Sequence, residues 1–315
     1  MSTNQTVLDR PAAGRAATRS PAVRNRRRRG LKAWLFMVPL IAVNLLVVAG
    51  PGVASLWYSF TDWSGVGPAR WVGLANYVRL FHDPDFRDAL AHNASWTVFF
   101  LVVPMALALF GSFLLSRVRR FAMLLRVAYF VPYTVATVVS ASIWQNLLAP
   151  HVGIAGQLAK LGPGFLSNVN FLGDPRSALA SVAAVNTWQW WGYLLVVFLA
   201  AMQGVNPSLY EAARLDGANA WQQFRHVTLP AIRPTLMFLA LMTVIWSFLV
   251  FDYVYILTQG GPAGSTDVLG TLLYRTAFGN NEAGYAAAIG VVLSAISLVV
   301  VLVYLWLKRR RGWES

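Results

Sequence analysis

Apolar residues in this chain of 315 gather in long runs, and short polar stretches separate the runs. A helix rises about 1.5 Å per residue, so roughly 20 apolar residues cross the hydrocarbon core of a bilayer. Six runs are long enough: 34–60, 93–115, 123–148, 177–203, 234–257 and 284–307. Within them Arg126 and Asp252 are the only Lys, Arg, Asp or Glu residues. Arg126 lies one turn from an end of its run, where a long side chain can reach the interface. Pro39, Pro51, Pro104 and Pro132 interrupt the runs and predict kinks, which membrane helices tolerate when neighbours satisfy the freed carbonyls. The pattern predicts an all-α membrane protein with six transmembrane helices, its membrane domain spanning 34–307.

Composition agrees with the pattern: 57% of residues are hydrophobic and 12% are charged, about half the charged share of a soluble domain. The net charge of +14 invites a nucleic-acid reading, but the placement of the cations points elsewhere. Of the 26 Lys and Arg residues, nine precede residue 34, three lie in 116–122, three in 204–233 and four after 307. The alternate segments 61–92, 149–176 and 258–283 hold only six. Basic loops stay in the cytoplasm, so both termini are expected inside. The Arg-rich stretch 1–33 reads as a disordered cytoplasmic tail and 308–315 as a short basic one. A signal peptide competes for the N-terminal region, but the apolar run at 34–60 exceeds an ordinary signal core of about 7–15 residues. The partner expected from the charge is membrane lipid, not nucleic acid. The absence of cysteine excludes disulfides and thiolate chemistry.

Several chemistries are missing from the sequence. There is no G-x-x-x-x-G-K-[ST] phosphate loop, no G-x-S-x-G turn, and no metal-ligand spacing among His82, His92, His151 and His226. No catalytic residue, metal or cofactor is expected in this chain. Energy for transport must come from a partner or an ion gradient. Gradient-driven carriers place ionisable groups within the bilayer, and Asp252, five residues from the end of its run, is the one candidate. A stand-alone secondary carrier is the weaker alternative.

The segment 204–233, GVNPSLYEAARLDGANAWQQFRHVTLPAIR, is the most informative. Pro207 and Ser208 make a helix start, and Asp216-Gly217 makes a stop, because glycine tolerates the left-handed conformation found at helix ends. Ala220, Trp221, Phe224 and Val227 recur at helical spacing, and Leu229-Pro230 is expected to end that second helix before the next span. Tyr210, Ala212, Ala213 and Leu215 give the first helix a small, partly apolar surface. Such a surface could lie in the interface, cap its own bundle, or pack into a protein groove.

This segment closely resembles the EAA loop of ABC importer permeases, whose pattern is EAA-x3-G-x9-I-x-LP. Glu211-Ala212-Ala213, Gly217 and Leu229-Pro230 stand at the pattern's positions, with Val227 where Ile is usual. Other segments resemble the carbohydrate-importing, maltose-type branch: Trp57-Tyr58-Ser59-Phe60-Thr61, Val72-Gly73-Leu74-Ala75-Asn76-Tyr77, Leu257-Thr258-Gln259-Gly260-Gly261-Pro262 with Ser265-Thr266, and Gly284-Tyr285-Ala286-Ala287-Ala288. The resemblance covers roughly 31–307. It implies the type I ABC importer permease fold and a role in ATP-driven, binding-protein-dependent sugar import. It also implies a second permease subunit forming a heterodimer, a pair of cytoplasmic ATP-binding subunits, and an external sugar-binding protein. A polar non-sugar such as a glycerol phosphate is the alternative cargo.

The resemblance gives Glu211, Ala212, Ala213, Asp216, Gly217, Ala220, Phe224, Leu229 and Pro230 to coupling with the ATPase. Glu211 would meet a basic residue there, although an acid in the first helical turn is also favoured by the helix dipole. A sugar path needs aromatic faces and hydrogen-bonding groups. Asn186, Trp188, Gln189, Tyr193, Trp246 and Asp252 are the candidates. Asn186 and Gln189 sit deep, where an unpaired amide is costly, and either pore lining or an interhelical hydrogen bond would satisfy them. Trp190, Trp191, Tyr253 and Tyr255 are read as interface belt or packing residues.

Overall fold

The computed structural model describes residues 37–310 except 119, 151, 152, 155 and 158–169. The predicted tail at 1–33 and residues 311–315 of the C-terminal one lie outside the described residues. The chain divides into two units, one ending at Ala54 and the other beginning at Ser55. The first holds most of an apolar helix, α1 (Met37–Tyr58), with a π turn at Leu45–Ala49 just ahead of Pro51.

Among its described residues the second unit is built of helices, with one isolated antiparallel bridge between Thr61 and Trp71. In order come α2 (Ala75–His82), α3 (Pro84–Leu115), α4 (Ala122–Thr134), α5 (Thr137–Leu147) and α6 (Ala178–Gln203). Then follow α7 (Pro207–Leu215), α8 (Ala220–Ala231), α9 (Arg233–Phe248), α10 (Asp252–Leu257), α11 (Leu269–Tyr274) and α12 (Ala283–Arg310). Residues 308–310 of the predicted basic tail are thus the last turn of α12.

Among the described residues, four helices (α1, α3, α6 and α12) are long and apolar enough to cross a membrane. The other two predicted spans differ from expectation. The run at 123–148 is not one helix: α4 and α5 meet at 93°, across Val135 and Ala136, which are extended. The run at 234–257 stops at Phe248, and α10 is a separate short helix beyond residues 249–251. A further bend of 69° separates α8 from α9. Counting each bent pair once gives up to six spans.

Backbone groups freed by such breaks must find partners, because lipid offers none. Two buried amides supply them. Gln189 Nε2 donates to the Val135 carbonyl at 2.6 Å. Asn93, fully buried, donates to the Ser247 carbonyl at 2.9 Å and accepts from the Leu269 N–H at 2.7 Å. One side chain therefore holds both the end of α9 and the start of α11.

Packing follows small residues. On α6, a Cβ at Gly192 would lie 1.8 Å from the Tyr129 carbonyl oxygen of α4, so glycine is what lets the two backbones touch. α3 and α6 enclose a core of Met105, Ala108, Leu194, Leu195, Phe198 and Leu199, to which Phe224 and Ile232 contribute from the α8 region. A second core joins Trp96 and Phe100 of α3, Val182 and Val185 of α6, and Tyr253 and Val254 of α10. On the other flank α12 packs through Tyr285, Ala288 and Ile289 against Leu80, Phe86 and Leu269. That flank carries the ion pairs Arg79–Glu282 at 2.8 Å, Arg275–Asp267 at 2.8 Å and Arg275–Asp85 at 3.2 Å.

Candidate functional site

The segment between α6 and α9 folds as the two short helices the sequence predicts. Asn206 caps α7 by accepting from the Ser208 N–H at 3.0 Å, with Pro207 in the first turn, where its missing N–H costs nothing. Gly217 takes φ +77° and stops the helix. Asn219 and Gln222 then form a capping box on α8, through Gln222 N–H to Asn219 Oδ1 at 3.0 Å and Asn219 N–H to Gln222 Oε1 at 2.7 Å.

Leu229-Pro230 does not end α8; the helix runs on to Ala231. A π turn at Phe224–Thr228 precedes the proline, and the Leu229 N–H reaches back to the Phe224 carbonyl. The wider turn makes room for a ring that would otherwise press on the preceding carbonyls.

The loop has an inner and an outer face. Inside, Phe224 is buried against Phe113 of α3 with ring centroids 4.7 Å apart. Arg117 donates to the Ala220 carbonyl at 3.1 Å, and Tyr210 is within 2.9 Å of the Thr228 hydroxyl. Outside, Glu211, Ala212 and Asp216 are exposed, and Ala213 and Ala220 half-buried. The Glu211 and Asp216 side chains make no hydrogen bond or ion pair among the described residues. Leu215, beside them, is 90% exposed. An apolar side chain that bare is the part of the surface the sequence pattern undervalued.

Nearer the middle of the α3–α6 pair lies a cavity of about 540 Å³. Of the six path candidates, Asn186, Gln189, Trp246 and Asp252 line it, and Trp188 and Tyr193 do not. Trp188 packs edge-on against Trp144 at 5.5 Å, and Tyr193 stacks on Tyr133 at 4.8 Å, behind the wall. Trp190 and Tyr253, read from the sequence as belt or packing residues, also line the cavity, with Trp96, Phe100, Tyr133 and Phe251. The indoles of Trp190 and Trp246 meet edge to face at 4.2 Å. Trp191 packs edge-on against Tyr129, and Tyr255 stacks on Phe251.

Gln189 is spent on structure. Besides holding the Val135 carbonyl it accepts from the Tyr253 hydroxyl, which also reaches Ser140. Thr243 is different: it is 2% exposed, lines the cavity, and its hydroxyl has no partner. A buried hydroxyl without a partner costs about 1–3 kcal/mol. No sequence signal marks Thr243. Among the described residues no cluster of His, Asp or Glu could hold a metal ion.

Comparison with known proteins agrees with this architecture. The chain is 35% identical over 276 residues to a probable ABC transporter permease protein of Pyrococcus horikoshii, covering 86% of this chain and 94% of that one. It is 33% identical to the diacetylchitobiose uptake system permease protein of Streptomyces coelicolor, over 87% of this chain and 81% of the relative. In three dimensions it matches a chain of a bacterial ABC transporter that imports the acidic polysaccharide alginate, with a TM-score of 0.81 at 24% identity over 92% of this chain and 99% of the other. Residues 102–313 match the model of one family. The chain belongs to that family, the binding-protein-dependent transport system inner membrane components.

Proposed function

We propose that this chain is the membrane subunit of an ATP-driven importer for a sugar. In this reading it works with a second permease, two cytoplasmic ATP-binding subunits and an external sugar-binding protein. Both termini and the α7–α8 loop face the cytoplasm, in keeping with the uneven distribution of Lys and Arg.

The observation that carries the reading is one mechanical connection. The exposed face of α7 and α8 stands on Phe224, which is buried in the α3–α6 core, and the same two helices supply Trp96, Phe100, Asn186 and Trp190 to the cavity. Closure of ATP-binding subunits against Glu211 and Leu215 pushes on a packed core, which moves as a body rather than deforming. The cavity then opens to one side or the other. Its aromatic walls suit the apolar faces of pyranose rings, and its free polar groups suit hydroxyls. The diacetylchitobiose permease, a relative of this chain, and the alginate importer, which shares its fold, carry saccharides by their names. Lacking a phosphate loop, the chain itself hydrolyses no ATP and relies on its partners.

The test is Glu211→Lys in the assembled importer, with sugar uptake and ATPase co-purification measured together. If Glu211 meets a basic groove, charge reversal costs about 2–5 kcal/mol of docking, and both readouts fall at least tenfold. Normal uptake and normal co-purification overturn the coupling role.

A further inference from the structure

The polar groups around the cavity divide into two sets. Gln189, Ser247 and Tyr253 bond within the protein: Gln189 to Val135 and Tyr253, Ser247 to the Thr243 carbonyl, Tyr253 also to Ser140. Asn186, Tyr133, Thr137 and Asp252 also line the cavity, and their side chains make no hydrogen bond among the described residues. These four remain available to a ligand, and they differ in what they ask of it; the Thr243 hydroxyl is unpartnered too, but its oxygen is itself buried. Asn186, Tyr133 and Thr137 both donate and accept, and the Asp252 carboxylate only accepts.

Asp252 is also the one carboxylate among the lining residues, which include no Lys, Arg or His. It is exposed and has no salt bridge. Arg79 and Arg275, on the flank beyond α10, are already taken by Glu282, Asp85 and Asp267. A ligand in this cavity therefore meets an uncompensated negative charge, in surroundings of lower dielectric than water. A donor on the ligand, hydroxyl or ammonium, satisfies it. A second anion is repelled by it.

We propose that the cavity accepts uncharged or amine-bearing saccharides and rejects those carrying carboxylate or phosphate groups, with Asp252 as the charge filter. The proposal rests on the reading of the cavity as a saccharide site. It sets this chain apart from the alginate importer, whose cargo is acidic and whose likeness extends to the fold. A like charge held about 6 Å from Asp252 in partly wetted surroundings weakens binding by roughly tenfold to a hundredfold. The penalty grows as salt is lowered, since screening acts over about 10 Å at 0.1 M.

Calorimetric binding to the assembled importer tests it with matched trisaccharides: a neutral glucose trimer, its C6-oxidised triuronate and the glucosamine trimer, each in α-1,4 and β-1,4 linkage. Wild type, Asp252→Asn and Asp252→Lys are compared at low and moderate salt. Asp252 makes no internal bond, so both variants keep the fold, which helical circular dichroism verifies; any contribution of the second permease is common to all three proteins. The expected result is a neutral trimer bound at least tenfold more tightly than the triuronate, a gap that closes in Asp252→Asn and reverses in Asp252→Lys. A triuronate that binds wild type as well as the neutral trimer overturns the charge filter alone. A preference that persists unchanged in both variants likewise removes Asp252 from the role. If no trimer of either linkage binds wild type, the saccharide reading of the cavity falls, and the filter with it.

Discussion

The α7–α8 loop and the cavity are built on opposite principles. The loop is assembled from neighbours in sequence: Asn206 caps over two residues, the Asn219 box closes over three, and Gly217 turns the chain alone. Its outward acids, Glu211 and Asp216, make no side-chain hydrogen bond or ion pair among the described residues. The cavity is assembled from residues far apart, such as Asn93 with Ser247 and Leu269, and Gln189 with Val135. Locally built surfaces can change partners without disturbing the fold. A cavity held by long-range bonds cannot lose one of them without losing shape. The two regions should therefore respond to mutation in different currencies, stability for the cavity and its supports, coupling for the loop's outer face.

The sharpest test lies where the two regions join. Phe224→Ala removes the ring that seats the loop on α3. Truncating a buried Phe typically costs about 3–5 kcal/mol, so the variant should show a large fall in thermal midpoint as well as lost uptake. A stable but uncoupled variant would mean that the loop is not anchored through this ring. Next comes Gly192→Ala. Its Cβ would strike the Tyr129 carbonyl, and a backbone group cannot rotate away as a side chain can. Overpacking costs about 1–3 kcal/mol, and an unchanged midpoint would show that α4 is free to move off α6.

A smaller loss is expected for Gln189→Leu. It leaves the Val135 carbonyl unsatisfied at the 93° break, while Tyr253 keeps its bond to Ser140. The loss should be about 1–2 kcal/mol, near the middle of the range for an orphaned buried group, and amide exchange around residues 135–137 should quicken. Least of all on stability comes Leu215→Ser. At 90% exposure it should change stability by less than about 0.5 kcal/mol and yet reduce ATPase co-purification severalfold. A large loss of stability with intact coupling would erase the distinction between the two regions.

What the sequence discloses follows the same division. The long apolar runs announce the membrane class, because length against bilayer thickness is a one-dimensional property. The loop is visible down to its glycine stop, because caps and stops are local chemistry. The two broken spans are not. Pro132 signals a kink near residue 135, but nothing at 249–251 marks the end of α9. There the Ser247 carbonyl is taken by Asn93, 154 positions away. Of the cavity, sequence picks Asn186, Gln189, Trp246 and Asp252 because polar and aromatic residues deep in a span attract attention. Trp188 and Tyr193 are outside the lining and pack against Trp144 and Tyr133, an orientation that no local pattern shows. The sequence passes over Thr243 entirely, since a threonine in a helix usually satisfies itself on its own backbone and this one does not.

The π turn in α8 has an evolutionary consequence. It holds one residue more than an α-helical turn would need, so Phe224–Thr228 is a place where the chain can shorten by one without breaking. A single-codon deletion at Arg225 would give back an ordinary helix, and because the π turn fits its extra residue within one full turn, the helix on either side would keep nearly the same facing. Phe224 would keep its seat on Phe113, and the outer face of α7 its direction. The same deletion in plain α-helix would turn everything beyond it by about 100°, so the π turn, with its exposed side chains at 225 and 226, is the one point in α8 where length can change without re-aiming the loop.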